Sequence, residues 1–109
     1  LMSKYKVTIL HTDKEPTDHI VDGSDGPNFK DMYKLMGCNM IEITGARCDN
    51  KNYELYIDEE GRLKEGNELN PIATKHFIEW LSHEGRMTMI PNVVGVAAMV
   101  DPNPIEERK

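Results

Sequence analysis

The stretch Val93–Val100 (VVGVAAMV) constrains the fold more than any other part of this chain. It has no polar side chain and therefore no alternation between a wet and a dry face. A strand of that kind must be covered on both sides, as a central strand is, or meet a second copy in a homodimer contact. The rest of the sequence has to supply those covers and the strands that pair beside it.

Tyr5, Val7 and Ile9 alternate with Lys6 and Thr8, which predicts a half-buried strand. Residues 11–19 are polar and contain Pro16, so they read as a turn, and Ile20-Val21 as a short second strand. Asp22 to Pro27 is dense in turn residues, with Pro27 suited to the first position of a helix. Phe29, Met32, Tyr33 and Met36 then mark one helical face, and Gly37 suits its left-handed end. Met40–Thr44 and Tyr53–Asp58 read as strands, with Ile41 and Ile43 on one face of the first. Tyr53, Leu55 and Ile57 form the inner face of the second. Asp58-Glu59-Glu60-Gly61 reads as an exposed hairpin tip, with Gly61 at positive φ and Arg62–Lys64 returning. Asn70 caps a second helix with Pro71 in its first turn; Ile72, Ala73, Phe77, Trp80 and Leu81 are its apolar stripe.

This order implies an α+β single domain, residues 2–100, with two helices packed on a mainly antiparallel sheet. Leu1 ahead of Met2 reads as a vector remnant, and residues 101–109 as a charged, mobile tail. A chain of 109 residues is the size of one domain.

A net charge of −6 disfavours direct nucleic-acid binding through phosphate contacts, and disfavours anionic membrane surfaces. Two cysteines without close spacing fit free thiols in a reducing compartment. No apolar run approaches the roughly 20 residues of a membrane span. The cytoplasm is the expected location, and no membrane partner is expected.

His76, Glu79 and His83 lie on one helix, and Glu79 and His83, four apart, could reach one ion. His76 is two turns from His83, so a third ligand would have to come from elsewhere. The expectation is a solvated polar face opposite Trp80, with no metal and no cofactor. Cys38 and Cys48 lack the short spacing of a zinc site. Only Arg47 beside Cys48 could lower a thiol pKa. Asp22-Gly-Ser-Asp-Gly fails as a calcium loop, because Tyr33 stands where the bidentate Glu belongs. There is no P-loop, GxGxxG, GxSxG or HExxH. A non-enzymatic role follows as the leading reading.

Three stretches, YKLMGCNMIEIT, LYIDEEGRLK and ELNPIAT, followed by the valine-rich strand, resemble domain-of-unknown-function family 3846. Its members are small proteins of phages, plasmids and bacteria, and the resemblance spans about residues 5–100. The matching positions are Gly37, Ile41, Glu42, Asp58, Glu59, Glu60, Gly61, Leu63, Asn70 and Ala73. The chain departs at Cys38, where a second glycine is usual, and at Pro91-Asn92. The resemblance implies a phage or mobile-element accessory protein and carries no activity with it. Glu42, Asp58, Glu59 and Glu60 have no evident structural duty, and with Asn92 they are the candidate binding residues. The expected function is a small binding protein that engages a host protein or sequesters a small ligand. A metal-dependent hydrolase using Glu42, the turn acids and a histidine is the alternative, or an acidic mimic of nucleic acid.

Overall fold

The computed structural model describes residues 2–86 and 91–106. Five strands, β1 (Ser3–Leu10), β2 (Thr17–Gly23), β3 (Ile41–Cys48), β4 (Lys51–Asp58) and β5 (Ala97–Val100), form one antiparallel sheet ordered β2-β1-β5-β4-β3. Helix α1 (Phe29–Met36) follows β2, and α2 (Pro71–His83) precedes β5. The fold is thus α+β, with both helices on an antiparallel sheet.

β5 takes the central place that its lack of polar side chains demands, pairing with β1 on one side and β4 on the other. Side chains alternate along it between two separate cores. Ala98 and Val100 join Val7, Ile9, Val21 and Tyr56 beneath Met32 and Met36 of α1. Ala97 joins Leu10, Ala46 and Leu55 beneath Ala73 and Phe77 of α2. The helices therefore cover opposite faces, and a sheet this small presents no wet side at its centre. The strand is shorter than the apolar run: Val94 makes only an isolated bridge to Leu69, and Pro91–Val96 forms a strap leading into β5.

Several sequence expectations change. β2 is seven residues long and starts within the expected turn, at Thr17. It is an edge strand, so its outward Asp18, Ile20 and Asp22 are exposed and its apolar signal is weak. The N-cap of α1 is Asn28, whose side chain accepts from the Lys30 amide, and Pro27 precedes the helix. Gly37 ends α1 in the left-handed conformation, as its position implied. Ile43 is exposed on edge strand β3, although Ile41 packs against the α1 core. In β4 both faces are inner faces, since Tyr56 is as deeply buried as Leu55. Ile72 of the α2 stripe is more than a third exposed.

The tight hairpin reversal lies at Asp49-Asn50, where both residues have positive φ, between β3 and β4. Asp58–Gly61 is a different structure. Gly61–Leu63 is a 3-10 turn, so no strand returns, and Gly61 is not at positive φ. Its hydrogen is needed for space: a Cβ there would lie 2.7 Å from the Val94 carbonyl oxygen. Among the described residues, no helix is long and apolar enough to cross a membrane.

Asn70 ties the layers together. It is fully buried; its Oδ1 accepts from the Ala73 amide, capping α2, while Nδ2 donates to the carbonyls of Leu10 and Gly95. One amide thereby fixes the helix start, the end of β1 and the strap. Beyond β5, Asp101 pairs with Lys51 at 2.6 Å and the Ile105 amide donates to the Lys4 carbonyl, so the first part of the expected mobile tail lies against the sheet.

Candidate functional site

Pairing of β3 with β4 sets Glu42 opposite Ile57 and Ile41 opposite Asp58, which brings Glu42 level with the acidic corner. The 3-10 turn then directs Arg62 toward the strap, where its guanidinium donates to the Asn92 carbonyl. The outcome is a cleft of about 250 Å³ between the β3–β4 end, α2 and the strap. Glu42, Asp58, Glu59, Arg62 and Asn92 border it, and Ile57, Phe77 and Val93 give it an apolar lining. Four of the five candidate residues meet there across fifty positions of sequence. Glu60 does not line it.

The acids are not equivalent. Asp58, expected at an exposed tip, is only 8% exposed. Its Oδ2 lies 2.6 Å from Lys64 Nζ and its Oδ1 accepts from the Glu60 amide at 3.0 Å. The hydrogen bond from Lys64 to Asp58 also holds the Lys64 ammonium above its ordinary pKa. Asp58 therefore has a structural duty: it closes the corner, and Lys64 neutralises it. Glu59 is exposed at the corner, Glu42 is exposed on β3, and among the described residues neither enters an ion pair. Counting Arg62, the cleft mouth carries two free carboxylates and one cation already bonded to backbone.

The histidines lie elsewhere. His83 borders a separate depression with Arg47, Asp49, Asn50, Glu79 and Ser82. His76 is not on a solvated face, as its side chain is 14% exposed. Its Nδ1 lies 3.8 Å from Glu79 Oε2 and is buried without a hydrogen-bond partner. On the helix surface His76 lies beside Ala73 and Phe77, which pack on the α2 core. Neither of these two histidines lines the acidic cleft, so the carboxylates and the histidines do not converge there. Among the described residues, no three His, Cys, Asp or Glu side chains cluster as metal ligands would. Burial, then the charge of Asp58, raises the Cys38 thiol pKa; burial, then Asp49, raises that of Cys48. Neither thiol is activated as a nucleophile.

Arg62 and Phe77 are the site residues that sequence reasoning missed. Phe77 reads as core, which it partly is, and Arg62 reads as part of a return strand that does not form. Comparison with family models, with curated proteins and with solved structures finds no match for this chain.

Proposed function

We propose that the protein is a non-catalytic binding protein whose acidic cleft receives a single basic group, presented by a host protein or by a small ligand. The observation that supports this reading is the pair of unneutralised carboxylates, Glu42 and Glu59, at the mouth of an apolar-lined cleft. Its volume lies just below the range of about 300–1,000 Å³ common for drug-sized ligands, which suits one side chain or a small amine. A lysine or arginine would lay its methylenes along Phe77 and Ile57 and its charge between the two acids. The resemblance to family 3846 supports a phage or mobile-element setting, and two free thiols are in keeping with the cytoplasm.

The experiment is affinity capture from host lysate, followed by mass spectrometry of co-eluting proteins and small molecules. Capture by the parent is compared with Glu42→Gln/Glu59→Gln and with Glu60→Gln. The double variant should lose the captured species and the parent's capture should weaken with salt, while Glu60→Gln behaves as the parent. Equal capture by the double variant sinks the proposal.

A further inference from the structure

We propose that His11 and His19 form a two-imidazole site for a late first-row divalent metal ion, centred on the hydroxyl of Thr17. The β1–β2 register carries it. Thr17 and His19, two apart on β2, project from the same face, and Thr17 stands opposite Ile9. His11, two residues beyond Ile9, approaches the same point from the other side. Its Nε2 lies 2.8 Å from Thr17 Oγ1, and His19 Nε2 lies 2.9 Å from that same oxygen. The two ring nitrogens are thus separated by no more than the sum of those distances.

One hydroxyl proton cannot serve two acceptors, so the hydroxyl donates to one ring and accepts from the other. Metal binding needs both Nε2 atoms unprotonated. Each ring satisfies this as the Nδ1–H tautomer, a proton shift within a neutral imidazole. Metal–nitrogen bonds of about 2.0–2.1 Å place two imidazole nitrogens about 3.3 Å apart on tetrahedral zinc and about 4 Å apart when they are opposed on copper. Small rotations of two part-buried rings would bring the nitrogens to either spacing, with the hydroxyl swinging aside. Imidazole pairs prefer copper, nickel and zinc to magnesium or calcium, and water would complete the coordination. The site is at the β1–β2 end and shares no residue with the acidic cleft.

The test uses the full chain with zinc or copper ions as the probe. In imidazole nitrogen NMR, one equivalent of zinc should shift His11 and His19 together and leave His76 and His83 in place. Copper should show coupling to two ring nitrogens by electron paramagnetic resonance. His11→Gln or His19→Gln should reduce this to one nitrogen and weaken zinc binding by at least about tenfold. Thr17→Ala should retain binding, and circular dichroism should show each variant folded. Zinc reaching His76 or His83 first, or binding either Gln variant as tightly as the parent, overturns the proposal.

Discussion

Gly45→Ala should loosen the contact between α2 and β3. A Cβ built on Gly45 falls well inside van der Waals contact with the indole of Trp80, meeting Cε2, Cδ2 and Nε1. Carbon atoms settle about 3.5–4.0 Å apart, so the ring must withdraw by roughly 1.5 Å. It cannot do so freely, because it stacks on Phe77 at 6.3 Å between centroids and lies beneath the Arg86 guanidinium. Overpacking of this kind costs about 1–3 kcal/mol, offset by about 0.5–1 kcal/mol because alanine suits a strand better than glycine. The net loss, about 1 kcal/mol at the middle of those ranges, corresponds to a melting temperature lower by about 4–8 °C for a chain this size. Trp80 is the single tryptophan, so its fluorescence reports the event directly and should shift to the red as the ring meets water. In a Trp80→Leu background the same substitution should be neutral or stabilising, isolating the pairwise term. A Gly45→Ala protein that melts at or above the parent with unshifted emission refutes the reasoning.

Asn70→Ala removes the cap of α2 and strands the carbonyls of Leu10 and Gly95, and should cost about 2–4 kcal/mol in denaturant melts; a loss under about 0.5 kcal/mol would show the three bonds to be incidental. Asp58→Asn should cost about 1–2 kcal/mol, since Lys64 is partly exposed, while Glu59→Gln stays within about 0.5 kcal/mol; equal effects would contradict the split between a structural and a binding acid. Burial, then the charges of Glu54 and Tyr5, push the Tyr56 phenol up to about 12. A pKa raised by folding gives stability present below the unfolded value near 10, and lost as pH climbs from there toward 12. Tyrosinate absorbance of the folded protein should include a step near pH 12, and Tyr56→Phe should abolish that step. A late step that survives Tyr56→Phe unchanged would refute the burial argument.

What could be read from sequence follows the strength of local signals. Val93–Val100 announced a doubly covered strand because burial on two faces leaves no room for polar residues, and Tyr5–Ile9 and Phe29–Met36 carry clear periods of two and 3.6. Asn70 and Gly37 were legible as caps because backbone geometry at helix ends admits few residue types. β2 was underestimated since an edge strand tolerates Asp18 and Asp22. The acidic corner misled for a different reason. A turn rich in acids looks solvated until a distant cation, here Lys64, closes on one of them. The cleft itself has no local signature. Glu42, Glu59 and Asn92 meet only because β3 pairs with β4 and Arg62 reaches across to the strap, and such distances are properties of tertiary structure. The His11–Thr17–His19 group was within reach, since Thr-x-His on one strand face is a pattern of period two.

The position of β5 has a consequence for how the chain acquires its fold during synthesis. β1 with β2, and β3 with β4, are local hairpins that can form as they leave the ribosome. Among the described residues, β5 is the strand that pairs with both hairpins, and it follows both of them in the chain. A nascent chain halted before Ala97 has two ribbons with exposed inner edges, each a template for pairing with a neighbour on the same message. Completion therefore comes as one late event, in which four residues join β1 to β4 and seal both cores. Until those four residues are in place, neither hairpin can bury the face that the finished sheet gives to its two cores.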